Sequence, residues 1–226
     1  MKRIVLLGAP GSGKGTWSKI LSESLSLLHI SSGDLFRMEL ANDTALGREV
    51  RSCIEQGALV PDEVTIQLVK KSLVKGRGRE GFILDGFPRT IRQAEALDEI
   101  LDEAGLKIDA VVDLAVDEET LIERTLSRLV CLDCGQPYNT TTMKPKVEGV
   151  CDVCGGKVVR RSDDTEETLQ RRFKAYHEQT EPLIDYYEAQ GKLLVFANTA
   201  MPGVAAQREM LALLGLEAGT SPELDK

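Results

Sequence analysis

Nine residues near the amino terminus, Gly8-Ala9-Pro10-Gly11-Ser12-Gly13-Lys14-Gly15-Thr16, constrain this chain more than any other segment. They directly follow the apolar run Ile4-Val5-Leu6-Leu7 and lead into a segment of helical periodicity. A strand that passes through glycines into a helix is where a phosphate loop forms. The glycines let the backbone curl so that successive N–H groups point inward, the helix N-terminus adds a positive dipole, and Lys14 supplies a mobile charge. Thr16 brings a hydroxyl for a phosphate or its magnesium ion. The usual pattern has Ser or Thr immediately after the Lys, whereas Gly15 intervenes here, so the loop is a variant. A plain glycine turn with an incidental lysine would not require the strand before it and the helix after it. Such a loop specifies nucleotide phosphates and little more, because GTPases, ATPases and several kinase classes share it.

Further apolar runs of strand length, Phe82-Ile83-Leu84, Val111 to Val116 and Leu193 to Phe196, do not alternate with polar residues, and a shorter one covers His29-Ile30-Ser31. Continuous apolar runs suggest strands covered on both faces. Helical patterns lie between them over Lys14 to Leu28, Pro61 to Lys75, Thr90 to Ala104 and Asp117 to Val130. Strands alternating with helices predict an α/β fold with a doubly wound parallel sheet. Another helix is expected from Asp164, with Asp164 capping the amides of Thr165 to Glu167 and Glu167 completing a reciprocal cap. Leu169, Phe173, Tyr176, Leu183, Ile184 and Tyr187 form its apolar stripe. Val204 to Leu214 is the last helix, and the tail beyond it is expected to fray.

The 226 residues allow one large domain or a compact core with small insertions. With 42% hydrophobic and 28% charged residues, the chain is neither disordered nor fibrous. A net charge of -8 and only 4% aromatics argue against a nucleic-acid binder, while leaving room for a local basic cleft that takes a small anion. No apolar run approaches the roughly 18 residues that span a bilayer, and the apolar start is too short for a signal peptide. An intracellular, cytoplasmic protein without a membrane partner is expected.

Asp85-Gly86-Phe87-Pro88-Arg89 follows a strand, which places it at the sheet's carboxyl end beside the phosphate loop. There Asp85 can hold magnesium-bound water and Arg89 can fork a phosphate. Ser31 to Arg37 puts a hydroxyl, an acid and an arginine at a strand-to-helix junction. Taken alone, the first segment reads as a turn and the second as a helix cap. Arg124 and Arg128, four residues apart, are expected to share one face of the helix Asp117 to Val130. Arg161 and Arg172 lie on the far side of the segment that follows. With a phosphate loop in the same chain these arginines read as an anion clamp; the blander alternative pairs Arg128 and Arg172 with Glu123, Glu166 or Glu167.

From Cys131 to Arg161 the chain is rich in Cys, Gly, Pro and Thr and poor in aliphatic residues, so something other than a core must hold it. Cys131-x-x-Cys134 and Cys151-x-x-Cys154 stand sixteen residues apart, the spacing of a four-thiolate zinc ribbon. A closed set of four thiolates implies a structural metal with no catalytic position, with iron in a rubredoxin-type site as the other candidate. Cys53, without a second cysteine nearby, reads as a buried thiol.

Taken together, these segments closely resemble adenylate kinase of the bacterial type with a long, zinc-bearing lid. The resemblance runs from Lys2 to about Gly191, with its distinctive residues in Gly8 to Thr16, Ser31 to Arg37, Asp85 to Gln93, Arg124 to Arg128 and Arg161 to Arg172. It implies ATP + AMP ⇌ 2 ADP with Mg2+ in a monomer, and a P-loop core over residues 1–30, 75–126 and 165–226. A small helical AMP-binding domain would occupy 31–74, and a zinc-ribbon-like lid holding Zn2+ at Cys131, Cys134, Cys151 and Cys154 would occupy 127–164. On the same resemblance, Gly11, Ser12, Gly13, Lys14, Gly15 and Thr16 would hold the ATP phosphates, and Arg124, Arg128, Pro137 and Tyr138 would also contact ATP. Ser32, Arg37, Ala58, Leu59, Val60, Gly86, Phe87, Pro88, Arg89, Gln93, Arg161 and Arg172 match AMP-binding positions, where Gln93 would read the adenine edge. Lys14, Arg37, Arg89, Arg124, Arg128, Arg161 and Arg172 would carry the catalysis, with Asp85 behind the magnesium.

Three positions depart from the family pattern. Trp17 stands where Gln is usual, Leu129 where a second consecutive Arg is common, and Phe196-Ala197-Asn198-Thr199 replaces a Val-Asp-Gly-like segment near the ATP base. Two other functions remain compatible with the residues. One is a related kinase with another nucleotide, such as a GTP:AMP phosphotransferase or a uridylate/cytidylate kinase. The other is a P-loop switch or nucleic-acid module using the ribbon, whose Lys144, Lys146 and Lys157 are offset by Asp133, Glu148 and Asp152.

Overall fold

The computed structural model describes residues 2–75, 80–199 and 202–216. Its centre is a parallel sheet ordered β2 (Leu28–Ser31), β3 (Phe82–Asp85), β1 (Arg3–Leu7), β4 (Ala110–Ala115) and β8 (Leu193–Ala197). Both faces are covered, which explains why the strands read as unbroken apolar runs. Val5, Leu7, Leu84 and Val111 point to one face, against α4 (Asp62–Lys75), α5 (Ile91–Glu103) and α8 (Leu183–Ala189). Ile4, Leu6, Ile83 and Val112 point to the other, against Trp17 and Leu21 of α1 (Lys14–Leu25) and Met210 and Leu211 of α9 (Val204–Leu213). Register aligns Leu6 with Asp85 and Leu7 with Asp113, so the carboxyl ends of the three central strands open side by side. That shared edge is where a doubly wound sheet binds ligands.

Two insertions rise from the same edge. α2 (Ser32–Ala41), α3 (Ala45–Gln56) and the start of α4 pack around Phe36, Val50 and Val60. Cys53 joins this cluster half-buried rather than buried. β5 (Arg128–Cys131), β6 (Pro137–Asn139) and β7 (Val158–Val159) form a small antiparallel sheet around Cys131, Tyr138, Cys151 and Val158. Among the described residues no helix is long and apolar enough to cross a membrane.

Several elements differ from the sequence expectations. α1 stops at Leu25 because Ser26 turns left-handed (φ 52°), freeing Leu28 to enter β2. α6 (Glu118–Leu126) stops before Arg128, which belongs to strand β5, so Arg124 and Arg128 do not share a helix face. The strand won because Leu129 and Val130 pair with Tyr138 and Pro137 across the small sheet. Thr165, not Asp164, caps α7 (Glu166–Ala175) by accepting from Thr168 N, and Glu167 pairs with Arg171 instead of closing a cap. The expected long helix is interrupted by a π-helical turn, Tyr176–Thr180, and restarts after Pro182. The carboxyl-terminal residues expected to fray, 217–226, lie outside the described residues.

Candidate active site

The phosphate loop curls through left-handed glycines, Gly11 at φ 88° and Gly13 at φ 91°. A Cβ on Gly11 would lie 2.5 Å from Leu121 O, so no larger residue fits there. Gly13 offers no side-chain cap, leaving the first N–H groups of α1 free to meet an anion. The Lys14 ammonium folds back onto the loop, donating to Gly8 O at 2.7 Å and Ala9 O at 2.9 Å. Burial lowers the Lys14 pKa to about 8, with Asp85 opposing and Arg89 and Arg128 reinforcing the shift. A lysine crowded by other cations gains most from a multivalent anion. Asn198 backs the loop: its amide donates to Ser12 O at 2.7 Å, and its own carbonyl accepts from Arg124 Nη1 at 3.0 Å.

On the opposite wall, the turn after β3 gathers its polar groups on one carbonyl. Gly86 O accepts from Ser32 Oγ at 2.6 Å and from Arg89 Nε at 2.8 Å. Thr180, presented by the π-helical turn, donates to Arg89 O at 2.9 Å. Burial pushes the Arg89 pKa down, against the pull of Asp85, and Arg172 and Arg37 push the same way. Gln93 sits 1% exposed at the start of α5, its Oε1 accepting from Arg89 N at 2.8 Å and its Nε2 donating to Asp62 Oδ1 at 2.7 Å.

The arginines flanking the small sheet have partners that sequence reasoning missed. Arg128 forks onto the fully buried Asp164 carboxylate at 2.8 and 2.5 Å, and Arg172 reaches Asp164 at 3.3 Å and pairs with Asp163. Neither uses Glu123, Glu166 or Glu167. The adjacent Asp163-Asp164 pair was a signal, read instead as a cap. Arg161 Nε is buried without a hydrogen-bond partner among the described residues. Burial first, then Arg128 and Arg37, push its pKa well below the usual arginine range. A desolvated guanidinium among other cations is a site prepared for an anion.

The four cysteine sulfurs lie within 4.8 Å of one another, with Cys131 to Cys154 at 3.5 Å and Cys134 to Cys151 at 3.6 Å. A tetrahedral site with sulfurs about 2.3 Å from the metal separates them by roughly 3.8 Å, so the cluster fits one ion. Tyr138 donates from its hydroxyl to Cys151 Sγ at 3.4 Å and accepts from Asp152 N at 2.7 Å. Lys19 of α1 donates to Gln136 beside this cluster.

These walls enclose one cleft of about 580 Å³, ordinary for a small-molecule site. All seven basic residues expected in it, Lys14, Arg37, Arg89, Arg124, Arg128, Arg161 and Arg172, line it, as do Asp85, Gly86, Pro88, Pro137, Tyr138 and Ala58 to Val60. Two expected residues stand apart. Phe87 is packed in the core at 1% exposure, because an apolar ring after β3 turns inward, and Ser12 is wholly buried beneath the loop. Asn198, Thr180 and Asp163 border the cleft without having been singled out as ligands, and no local pattern marks the first two.

Comparison with known proteins bears on this geometry. A family model described as adenylate kinase matches residues 6–192. An adenylate kinase of Caldicellulosiruptor bescii is 48% identical over 215 residues, covering 95% of this chain and 100% of its own. One of Clostridium tetani is 50% identical over 196 residues, 87% of this chain and 91% of its own, and one of Streptomyces avermitilis is 48% identical over 212 residues, 93% and 96%.

Proposed function

The chain belongs to the adenylate kinase family, and on that premise we propose a division of labour within its cleft. The reaction is reversible phosphoryl transfer, ATP + AMP ⇌ 2 ADP. AMP phosphate is already an anionic nucleophile, so no carboxylate need act as a base. Catalysis requires two phosphates in line, their charge neutralised, and water kept away. Eight Lys and Arg side chains line one cleft, the seven expected there and Lys19, in a chain of net charge -8, and this is the observation that carries the reading.

The loop amides from Gly11 to Thr16, apart from Ser12 N, which donates to Ala9 O at 3.1 Å, hold the β- and γ-phosphates of ATP, with Lys14 at the transferring group. Arg124 lies against the nucleotide, held by Asn198 O. Arg37 and Arg89 hold AMP phosphate, Gln93 the adenine edge, and the backbone of Ala58 to Val60 also contacts AMP. Arg128, Arg161 and Arg172 clamp the phosphates as residues 127–164 close as a lid over the core, excluding water that would turn a kinase into an ATPase. Residues 31–74 form the AMP-binding domain. Asp85, beside Gly15, would hold water of an Mg2+ ion brought in with ATP, and that ion would supply neutralisation of the phosphate charge. Cys131, Cys134, Cys151 and Cys154 hold Zn2+, which staples the lid and takes no part in transfer. We place the enzyme in the cytoplasm as a monomer.

The test is ADP formation by purified protein from Mg-ATP with AMP, CMP, UMP or GMP, alongside an ATP-only control and GTP as donor. AMP-dependent ADP formation that reverses from ADP alone is expected. ADP formed without an acceptor, or only with another nucleotide, would overturn the assignment.

A further inference from the structure

Gln93 is the residue proposed to read the purine, yet an amide can present either of two faces. Rotation by half a turn exchanges a carbonyl acceptor for an NH2 donor with almost no change in shape. The two faces suit different bases. Adenine offers a donor at its 6-amino group and an acceptor at N1, whereas hypoxanthine and guanine offer an acceptor at O6 and a donor at N1. Whatever fixes the amide therefore chooses the base.

We propose that Asp62 is the positioning residue that sets the acceptor's purine, by locking the Gln93 amide in the orientation that matches adenine. This rests on the adenylate kinase reading and deepens it. Asp62 stands at the start of α4, where it does not border the cleft, and works from behind Gln93. One carboxylate oxygen accepts from Gln93 Nε2 at 2.7 Å and the other from Thr90 Oγ1 at 3.0 Å. Thr90 in turn accepts from Gln93 N at 3.1 Å as the cap of α5, so Asp62 grips both the side chain of Gln93 and the helix start that carries it.

The lock has two independent halves. An ionised carboxylate only accepts, so it demands Nε2; the Arg89 backbone N–H only donates, so it demands Oε1, and it meets it at 2.8 Å. Turning the amide would replace two hydrogen bonds by an oxygen facing an oxygen and a donor facing a donor. After these two bonds, Oε1 keeps one lone pair and Nε2 one hydrogen. That remaining pattern, acceptor beside donor, fits the 6-amino group and N1 of adenine and opposes O6 and N1–H of the oxo-purines. Discrimination built from a fixed hydrogen-bond pattern with a repulsive alternative is stronger than any available from shape. Arg89 binds phosphate in the same scheme, so one residue would connect phosphate and base recognition through its backbone.

Inosine monophosphate is the discriminating probe, because it shares the sugar and phosphate of AMP and differs at the edge in question. The kcat/KM ratio for AMP over inosine monophosphate is measured for the wild type, Asp62→Ala and Asp62→Asn, with the KM for ATP and the Tm followed in parallel. Asp62→Ala is expected to lower the ratio by at least about tenfold. Asp62→Asn, which keeps one oxygen for Nε2, is expected to fall between, and it carries the test if the Ala variant does not fold. KM for ATP should stay near the wild-type value. Equal losses for both acceptors, leaving the ratio unchanged, would assign Asp62 a merely structural role and overturn the proposal. A wild type that makes no ADP from AMP would instead refute the kinase reading on which it stands.

Discussion

The Trp17 indole donates its Nε1–H to Asn198 Oδ1 at 3.1 Å, with Trp17 0% and Asn198 4% exposed. Both lie at positions where the sequence departs from the adenylate kinase pattern, and the departures meet. Trp17 also packs edge-on against Phe196, ring centres 5.2 Å apart, so the bulk of the indole is absorbed by strand β8, which leads into Asn198. Gly13 leaves room for this pairing, since a Cβ there would lie 2.9 Å from Asn198 Nδ2. The carboxyl-side segment near ATP is therefore replaced by a different buried bracket behind the phosphate loop.

Removing the centre of that bracket should be costly. Asn198→Ala leaves the Trp17 N–H and the Ser12 carbonyl buried without partners, a loss of about 2–6 kcal/mol at 1–3 for each of the two orphaned groups. Trp17→Phe orphans only Asn198 Oδ1 and should cost less. Urea unfolding measures both, and KM for ATP should rise more than KM for AMP in the Asn198 variant. Wild-type stability in the Asn198 variant would show that the bracket contributes nothing.

The Lys14 pKa of about 8 gives a pH dependence with a definite sign. It lies below the value of 10.5 expected when unfolded, so between these pH values the unfolded chain binds more protons. Stability attributable to this group therefore rises with pH across that window, and the burden on the fold is fully present below pH 8. Activity moves the opposite way. The free enzyme loses the ammonium proposed to meet ATP, so kcat/KM for ATP should fall above about pH 8. Bound triphosphate restores the proton, so kcat should fall at higher pH. Lys14→Arg, charged throughout, should lack the alkaline limb in kcat/KM, and an identical limb in that variant would assign it elsewhere.

The parallel core was legible because burial on both faces writes unbroken apolar runs, and the glycine-Lys14 loop and the cysteine spacing carry local signatures that survive any context. Arg128 was not, since the pattern from Asp117 to Val130 suits a helix until Tyr138 and Pro137 arrive from the next segment to pair with it as a strand. The partners of the arginines were illegible for a related reason. Asp164 looks like a helix cap from its neighbours, and only the folded chain brings it to Arg128, 36 positions away. Asp62 and Gln93 likewise meet across 31 positions.

Asp164 should separate folding from transfer. Its carboxylate is fully buried while Arg128 and Arg172 remain 24% and 20% exposed, so Asp164→Ala strands Arg128, which water partly reaches, whereas Arg172 keeps Asp163. A loss of about 1–3 kcal/mol is expected, below the 3–5 of a fully buried pair. Arg89 has no ion pair among the described residues, so Arg89→Ala should change Tm little, while the loss of its charge from the cleft should lower kcat by orders of magnitude. Turnover near wild type in the Arg89 variant would remove that arginine from the mechanism.

The cysteine cluster makes the last prediction, because residues 131–154 have so little core that a metal held by the four thiolates would supply folding energy. Their apolar cluster is confined to Cys131, Tyr138, Cys151 and Val158, with Leu129 and Met143 against it. Metal removal under reducing conditions should therefore lower the Tm and expose this segment to protease before the sheet of the core unfolds. Tyr138→Phe removes the hydroxyl that Cys151 Sγ accepts from, and outer partners of this kind are worth about 10–100-fold in metal affinity. A chelator competition on the Tyr138 variant reads that loss directly. An unchanged melt after verified metal removal would mean that the small sheet stands by its own packing, and that the four thiolates are held together by the fold rather than holding it.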